Sequence, residues 1–589
     1  MLSKIKNIFK REDKLYTINF SFFMLLVYTV FIIINDYICF FSGIHANVLT
    51  YVGSIVILTP IILIFRKKVK IDFSNFSKYD LIFLVIIATI YLLKFAIPDS
   101  AFDTLNYHLY EQENCFSNNV SFNFFPARWI NTFSIPLADR MHYFFRFLLG
   151  YRLGYILNLF IVIVVYYQTK EIIQCFIQEN KFKFVIPVLA ILVVLTDFVL
   201  QNFVTYYVDL FAIPFFLEII IIMLKKDFNN LNIMIVIMCA GIALALKISN
   251  AFLLIPLGIA FLIFARKNLK WYIILIGAIL IICPIAIYFI NNYIQTGNPV
   301  YPFYNTVFKS KFLDIINWKE AFYEPKRIRE RLLWPIYTLI SPRRANDSEM
   351  YAGRLGFGYM VTIIMVIYSI IKKDKKKIIC SSMLIVLFLT WSNFMMGYIR
   401  YALVLEILSG IIIVVTVYYL LKEKAYIYHI LGITALICLL FEVFNSTNTI
   451  VYTSNELSWR ANYFKDPEIY RLNIKETFVK RDYTEYLKDV DCFGIADYNS
   501  GYAVLLSNKI PSINLLESYS NEYGKEKYEE FIKKYEDKNM YVISTSKTIE
   551  RTLKYLEKTD FKFGGEVKEF KADFLDITNN LVLLKVIHK

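Results

Sequence analysis

The sequence predicts a mainly α-helical, polytopic membrane protein that ends in a small soluble α/β domain. Of its 589 residues, 57% are hydrophobic and only 19% are charged, whereas soluble proteins carry about 25% charged residues. The apolar residues are clustered in long stretches, and after Asn445 these give way to shorter apolar runs among frequent charges. The same composition excludes disordered, collagen-like and small disulfide-rich proteins.

About thirteen apolar stretches approach the roughly 20 residues that cross a bilayer as a helix. The first has no small-residue cleavage site, so we interpret it as a retained helix and not a signal peptide. The stretches are residues 16–40, 46–65, 81–97, 151–167, 185–201, 206–224, 231–246, 249–266, 271–290, 356–371, 378–394, 400–421 and 425–443.

The distribution of charge predicts which side of the membrane each loop occupies. From Asn445 onward there are 22 basic and 23 acidic residues, so residues 1–444 carry a net charge of +16. If the basic N-terminus is cytoplasmic, the alternate turns are all Lys-rich, as the positive-inside rule requires. Thirteen spans then place the loops 98–150 and 291–355, together with residues 445–589, outside the cytoplasm. Arg predominates among the external basic residues, and its planar fork suits phosphate or carboxylate.

Two domains follow from this pattern: a membrane module of residues 1–444 and an extracytoplasmic α/β domain of residues 445–589. In the second domain, β-like runs such as DCFGIAD, YAVLLS, MYVISTS and NLVLLKVIHK alternate with charged helical segments, which is typical of a small α/β fold. The two loops of the membrane module are rich in aromatic or Arg residues and predict short helices at the membrane surface.

Charged side chains within a span, or at its edge, mark functional sites because their burial in lipid is costly. Asp209, Lys247 and Arg400 map to the external ends of their spans, and Asp103 follows the third span. We expect these four residues to meet in one pocket at the outer membrane face. The alternative is that each span-end charge simply extends to the membrane surface. Further in-span candidates are Asp36, Lys94, Asp197, Glu218, Glu406 and Glu442.

The segment AFDTLNYHL is the strongest candidate for chemistry. Asp103 is placed like the N-cap of a helix, with Tyr107 one turn later. A carboxylate there could act as a general base, with Tyr107 and His108 shaping the site. The alternative is an ordinary capping aspartate beside an interfacial aromatic belt, and the residues alone do not decide between the two.

Five motifs in order resemble the bacterial GT-C superfamily of polytopic glycosyltransferases, near its protein-O-mannosyltransferase-like and lipid A sugar transferase branches. The resemblance covers about residues 80–410. The motifs are AFDTLNYHL (101–109), TYYVDLFAIPF (205–215), GIALALKISNAFLLIPL (241–257), YIQTGNPVYPF (293–303) and YIRYALVLEIL (398–408).

The resemblance implies a multi-pass enzyme of the bacterial plasma membrane. It would transfer a sugar from a polyprenyl-phosphate donor to an extracytoplasmic glycan, lipid or protein, and no nucleic-acid partner is expected. Asp103 would be the catalytic base, with Asp209 in the same pocket. Lys247, Arg128 and Arg400 would bind the lipid phosphate, and Asn298 and Tyr301 would shape the pocket rim. The other implied substrate-binding residues are Tyr107, His108, Glu111 and Tyr401.

A divalent cation stays an open alternative as cofactor, because familiar members of the superfamily carry paired adjacent acidic residues where this chain has Asp103 followed by Thr104. Asp99 and Glu111 are the nearest other carboxylates. A second functional class is a transporter or flippase of lipid-linked glycans, which would not need two long external loops and an external domain. A polymerase or ligase of such glycans would share the substrate but lack the AFDTLNYHL and YIRY motifs.

Overall fold

The computed structural model describes most of the chain from Tyr16 to Lys589. The described residues are 16–73, 76–94, 97–114, 135–178, 184–203, 205–225, 228–317, 323–341, 344–345, 353–448, 467–497, 500–507, 509–516 and 522–589.

The membrane module is a helix bundle, as predicted. A short parallel ribbon of β1 (Tyr16–Asn19) and β2 (Val69–Asp72) joins its first two helices. The helices are α1 (Phe20–Ser42), α2 (Val48–Arg66), α3 (Asp80–Lys94), α4 (Leu109–Asn114), α5 (Leu137–Leu149), α6 (Ile156–Phe176), α7 (Val185–Val194), α8 (Asp197–Phe203), α9 (Ile213–Lys225), α10 (Asn230–Leu246), α11 (Ala251–Ala265), α12 (Trp271–Thr296), α13 (Asn305–Phe308), α14 (Ile328–Ile340), α15 (Gly353–Ile371), α16 (Lys375–Phe394), α17 (Leu403–Leu421) and α18 (Tyr426–Asn448).

Each of the thirteen apolar stretches contains a helix, but the predicted number of spans is not confirmed. Within the described residues, eight helices are long and apolar enough to cross a membrane, or nine if α7 and α8 form one span. Those two helices meet at a bend of 74°. Three further apolar segments, Asp80–Leu92, Asn230–Leu246 and Tyr426–Ile437, are shorter. The difference arises because breaks and caps shorten several of the apolar stretches.

The first large loop contains a local irregularity just after Asp103. Residues Thr104–His108 form a π-helix that runs directly into α4. The amide of Leu109 donates to the carbonyl of Thr104, five residues earlier, which is the hydrogen-bond spacing of a π-turn. Such turns are rare and are often found at functional sites.

The C-terminal part is a small α/β domain, as predicted. A five-stranded sheet has the order β4-β3-β5-β7-β6, with β3, β4 and β5 parallel and the last two strands antiparallel. The elements are α19 (Pro467–Glu476), α20 (Thr484–Leu487), β3 (Cys492–Ile495), α21 (Ser500–Leu506), β4 (Ser512–Asn514), α22 (Glu522–Tyr535), β5 (Met540–Thr545), α23 (Ile549–Leu556), β6 (Phe561–Phe570) and β7 (Leu581–His588).

One predicted strand of this domain is wrong: YAVLLS lies in helix α21. Its apolar run of β-like residues is short, and such runs do not distinguish strand from buried helix. The run falls between the parallel strands β3 and β4, and a parallel pair needs a crossover connection, usually a helix. The topology of the sheet therefore overrides the local propensity.

The C-terminal domain packs on the end of the bundle that carries the two large loops. Arg152, in the turn before α6, donates to the carbonyls of Asp573 (2.6 Å), Asn473 (3.1 Å) and Leu575. From the second loop, Tyr301 packs in the core of the C-terminal domain, together with Phe312 and Leu313. The segment before α6 and the second large loop therefore both contact the C-terminal domain.

Candidate active site

Four charged residues that are far apart in sequence form one buried cluster. Arg400 Nη1 donates to Asp103 Oδ2 at 2.6 Å, and Arg400 Nη2 donates to Asp209 Oδ2 at 3.0 Å. Lys247 Nζ donates to the other oxygen of Asp209 at 2.6 Å. Two cations and two carboxylates thus share three ion pairs, which the sequence predicted as one pocket.

Breaks in the apolar helices bring these side chains together. Lys247 ends α10 with an extended backbone (φ −162°, ψ 119°), and a single 3₁₀ turn follows before α11. Arg400 lies in another 3₁₀ turn, which opens α17. Asp209 lies in the turn that precedes α9. Each charge is therefore at the end of a helix, where the chain changes direction at the surface of the bundle.

The role of Asp103 as a helix cap, one of the two alternatives from the sequence, is not seen. Its backbone is already helical (φ −67°, ψ −36°), and its side chain makes no capping hydrogen bond. Asp99 instead holds the start of the segment, because its carboxylate accepts from Ala101 N (2.9 Å), Thr104 Oγ1 (2.7 Å) and Tyr206 N (2.8 Å). The carboxylate of Asp103 is thus committed to Arg400.

Asp103 is a carboxylate and not a carboxylic acid near neutral pH. Burial raises its pKa, but the charge of Arg400, that of His108 and the hydrogen bond from Arg400 lower it, and the net shift of the pKa is downward from 3.8. A nearby cation favours the charged form of a carboxyl group. In this state Asp103 can accept a proton, although the ion pair with Arg400 weakens it as a base.

A cavity is lined by three members of the cluster, Asp209, Lys247 and Arg400. Its polar lining consists of Asp209, Lys247, Ser249, Asn250, Arg400 and Tyr401, and aliphatic side chains complete the wall. Lys247 is the more accessible cation, with 29% of its side chain exposed against 9% for Arg400. The hydroxyl of Ser249 is buried and has no hydrogen-bond partner among the described residues. The cavity therefore offers an exposed cation and a spare hydroxyl on apolar walls.

Aromatic rings hold both cations in place. The Lys247 ammonium lies 3.9 Å from the ring centroid of Tyr401, and the Arg400 guanidinium lies 4.2 Å from that of Tyr207. Cation–π contacts of this kind orient a charge without neutralising it. The ring of Tyr107, also predicted for the site, is half-buried near Asp103, with its centroid 4.3 Å from that of His108 in a tilted arrangement. Tyr107 and Tyr401 thus lie where the sequence predicted them.

His108 and Glu111 form a second group with Asp139 of α5. The three side chains are buried, and one ligand atom from each lies within 4.8 Å of the others. His108 Nδ1 is 2.9 Å from Asp139 Oδ1, a hydrogen-bond distance. One imidazole nitrogen and two carboxylates suit Zn²⁺ or Mn²⁺, so these residues fit the divalent cation that the sequence left open.

The two residues predicted at the pocket rim, Asn298 and Tyr301, make contacts away from the cavity. A third predicted site residue lies outside the described residues. Asn298 shapes its own turn, because its side chain donates to Phe303 O (2.9 Å) and accepts from Val300 N (3.0 Å). Tyr301 is buried in the C-terminal domain's core. The Gly-Asn-Pro turn therefore docks the domain and does not form the pocket rim. Arg128 is among the residues that the structure does not describe.

Several Arg residues of the loops that the sequence predicts to be external have protein partners, where the sequence suggested a phosphate. Arg140 pairs with the in-span Asp36 at 3.0 Å, and Arg146 pairs with Glu113. Arg354 donates to the carbonyls of Leu192 (2.9 Å) and Val193 at the bend between α7 and α8. The sequence analysis does not predict the pair of Arg140 and Asp36. The signal that could have predicted it is the charge of Asp36 within a span, because a buried charge requires an opposite charge nearby.

Comparison with known proteins gives structural similarity only. No family model matches the chain, and no curated protein matches its sequence. Two crystal structures of ArnT from Cupriavidus metallidurans, one bound to undecaprenyl phosphate and one in the apo state, cover 86% and 85% of this chain and 97% of their own. Their sequence identities are 11% and 10%, with TM-scores of 0.46 and 0.44. At these values the matches assign neither substrate nor reaction to this chain.

Proposed function

We propose that this protein is an integral membrane glycosyltransferase that uses a polyprenyl-phosphate-linked sugar and an extracytoplasmic acceptor. The observation that carries the proposal is the cluster of Asp103, Asp209, Lys247 and Arg400 beside a cavity at the ends of apolar helices. Such a cluster combines a carboxylate that can take a proton with cations that can stabilise an anionic leaving group.

The charges that line the cavity suit the phosphate of a lipid donor. Lys247 is the cation most open to the cavity, and Ser249 supplies a hydroxyl without a described partner. A lipid anchor explains why the site lies among apolar helix ends, since the polyprenyl chain stays in the bilayer while the phosphate reaches the charged cluster. In the free protein the two cations are balanced by two carboxylates, so a bound phosphate competes with Asp103 and Asp209 for them.

This competition links donor binding to the basicity of Asp103. When the donor phosphate pairs with Lys247 and Arg400, Asp103 shares the positive charge of Arg400 with the phosphate. The ionised form of Asp103 is then stabilised less, so its carboxylate becomes a stronger base. Asp103 then takes the proton from the acceptor hydroxyl as its oxygen bonds to the anomeric carbon of the sugar. The bond from that carbon to the phosphate oxygen breaks, and polyprenyl phosphate leaves with the electron pair.

Asp209 has a different part in the proposed reaction. It is almost fully buried and accepts hydrogen bonds from both cations, so it positions Lys247 and Arg400 and is not the group that meets the acceptor. His108, Glu111 and Asp139 would hold a divalent cation, which would supply positive charge close to Asp103.

The direct test uses the purified full-length protein in detergent with a panel of radiolabelled polyprenyl-phosphate sugars and an envelope extract as acceptor. We expect label to move to the extract and free polyprenyl phosphate to be released, while nucleotide sugars give no transfer. If instead no donor releases its sugar, but a fluorescent lipid-linked sugar crosses the bilayer of vesicles that contain the protein, the protein is a flippase.

The orientation of the chain is a separate prediction from the Lys-rich turns. A reporter that is active only outside the cytoplasm, fused after Lys589, should be active, and the same reporter fused in the Lys372–Lys377 turn should be inactive. An inactive C-terminal fusion would place Asp103 and its cluster on the cytoplasmic face. Donors presented in the outer leaflet would then be excluded.

A further inference from the structure

The C-terminal domain contacts the membrane module through the edge of its sheet where such domains usually bind ligands. Helix α21 follows β3, so Ser500 lies at the carboxyl edge of the parallel strands. The chain runs from β3 to β4 on one side and then to β5 on the other, and in open α/β sheets the crevice at such a reversal is the usual ligand site. In this protein the first turn of α21 is packed against the π-helix that follows Asp103.

Contacts at this point are close and specific. The Ser500 hydroxyl lies 2.9 Å from the carbonyl oxygen of Leu105 and 2.7 Å from that of Asn106. Gly501 is equally constrained, because a Cβ there would lie 2.9 Å from the Leu109 side chain and 3.0 Å from the Leu105 backbone. Ser500 is fully buried, so its hydroxyl is dedicated to this junction.

The bonded carbonyls belong to the least regular turn of the catalytic segment. A π-turn departs from the i→i+4 pattern of the flanking helix, and an outside donor can stabilise carbonyl groups in such a turn. Asp103 immediately precedes the turn. The orientation of its carboxylate toward Arg400 therefore depends on how the π-turn is held.

We propose that the C-terminal domain is a positioning element of the membrane active site, and that Ser500 is the positioning residue through which it acts. The catalytic part of this inference rests on the proposed function. By donating to Leu105 or Asn106, Ser500 fixes the π-turn and with it the direction of Asp103. Misplacement of a catalytic group by about 1 Å can lower the rate on the order of 100-fold. Loss of one hydroxyl at this junction can therefore lower the rate of transfer.

The test compares two buried serines of the same domain in the full-length protein. Ser500→Ala removes the donor to the π-turn, whereas Ser544→Ala removes a hydroxyl bonded to Thr552 within the domain (2.7 Å). Hydrogen–deuterium exchange of residues 104–109 should be about fivefold faster in Ser500→Ala, as expected for loss of about one hydrogen bond, and unchanged in Ser544→Ala. Ser500→Thr, which keeps a hydroxyl, should return exchange toward the original rate.

Catalysis supplies the second readout. In Ser500→Ala, transfer at saturating donor should fall about tenfold while the binding of a polyprenyl monophosphate stays within twofold, because the cations of the donor pocket are untouched. If Ser500→Ala does not fold, Gly501→Ala perturbs the same junction by contact and should give the same increase in exchange.

The two hypotheses fail in different ways. Equal exchange of residues 104–109 in Ser500→Ala, Ser544→Ala and the unchanged protein overturns the positioning role, whether or not sugar is transferred. Faster exchange in Ser500→Ala alone, in a protein that transfers no sugar from any donor, supports positioning and overturns the proposed function.

Discussion

The two ends of the helix bundle both bury charged residues, yet they are built differently. At one end, Asp209 precedes α9 and accepts a hydrogen bond from Lys247, which also lines the cavity. At the other end, Asp80 begins α3, and Lys170 Nζ donates to its two oxygens at 2.8 and 3.0 Å. The hydroxyl of Tyr166 (2.7 Å) and the amide of Ser77 (2.7 Å) complete the hydrogen bonds of Asp80.

This comparison separates structural from functional burial of charge. Side-chain exposure is 4% for Lys170 and 0% for Asp80, and both oxygens of Asp80 have protein donors. Lys247 is 29% exposed and lines a cavity together with Ser249, whose hydroxyl has no partner in the described part of the chain. A closed pair contributes to the fold, whereas an open pair can exchange its partner for a substrate. The predictions below test this distinction.

The largest expected effect is that of Asp103→Asn. The change keeps the shape of the side chain and its hydrogen bond to Arg400 but removes the proton-accepting carboxylate, so transfer should fall by about 10²–10⁴-fold. The protein should still fold, and a polyprenyl monophosphate should bind at least as tightly, because a neutral side chain no longer competes with the phosphate for Arg400. The measurement is the transfer rate per folded molecule. Near-normal transfer would reject Asp103 as the base and favour Asp209 or Glu111.

At the closed end, Asp80→Ala should act on stability alone. Removing the carboxylate breaks the buried ion pair between Asp80 and Lys170, which costs about 3–5 kcal/mol in the free energy of unfolding. Thermal unfolding in detergent should therefore show a clearly lower midpoint, while the transfer rate per folded molecule stays normal. A loss of transfer without a loss of stability would show that the closed end takes part in the reaction and would break the comparison.

Lys247→Ala tests the open pair, with Lys225→Ala as its matched control. Lys225 also pairs with a carboxylate, Glu171, and its side chain is 38% exposed, but it lies at the opposite end of α9. A charge-assisted contact to the donor phosphate is worth about 1.5–3 kcal/mol, so Lys247→Ala should lower the use of donor by about 10–100-fold. Lys225→Ala should leave it unchanged. Equal donor affinity in both variants would make Lys247 a structural partner of Asp209.

The sequence was sufficient to predict this cluster but not its surroundings. Asp103, Asp209, Lys247 and Arg400 could be predicted because a charge at the end of an apolar stretch is costly and therefore rare. Ser500 and Asp139 could not, because serine and aspartate in polar segments carry no such signal. Their importance arises from the docking of segments that are far apart in sequence, as in the contact of Ser500 with Leu105 across 395 positions.

The same physics explains the errors in the sequence predictions. The stretch 206–224 is apolar enough for a span, yet its helix begins only at Ile213 because the chain turns there to place Asp209. Tyr301 looked like a rim residue because it follows the Gly-Asn-Pro turn, but that turn packs into the C-terminal domain. Hydropathy thus predicts where helices form, whereas tertiary packing decides where they stop.

The smallest expected effect concerns pH, and it tests the ion pair at the centre of the site. Burial raises the pKa of Asp103, but the charges of Arg400 and His108 and the hydrogen bond from Arg400 together outweigh burial, so the net shift of the pKa is downward from 3.8. A group whose pKa is depressed on folding contributes its stability above the unfolded pKa and loses it as the pH falls through the folded pKa. The pKa of Asp103 is 3.8 or lower in both the unfolded and the folded protein, so Asp103 stays ionised throughout the neutral and mildly acidic range.

Transfer at low donor concentration, which reports the ionisation of the free enzyme, should therefore change less than about twofold between roughly pH 5 and pH 8 on account of Asp103. The residual activity of Asp103→Asn over the same range provides the baseline. An acidic decline centred near neutral pH, present in the original protein and absent from Asp103→Asn, would contradict this expectation. It would mean that Asp103 and Arg400 are separated in solution, and that the open end of the bundle exchanges partners even before a donor arrives.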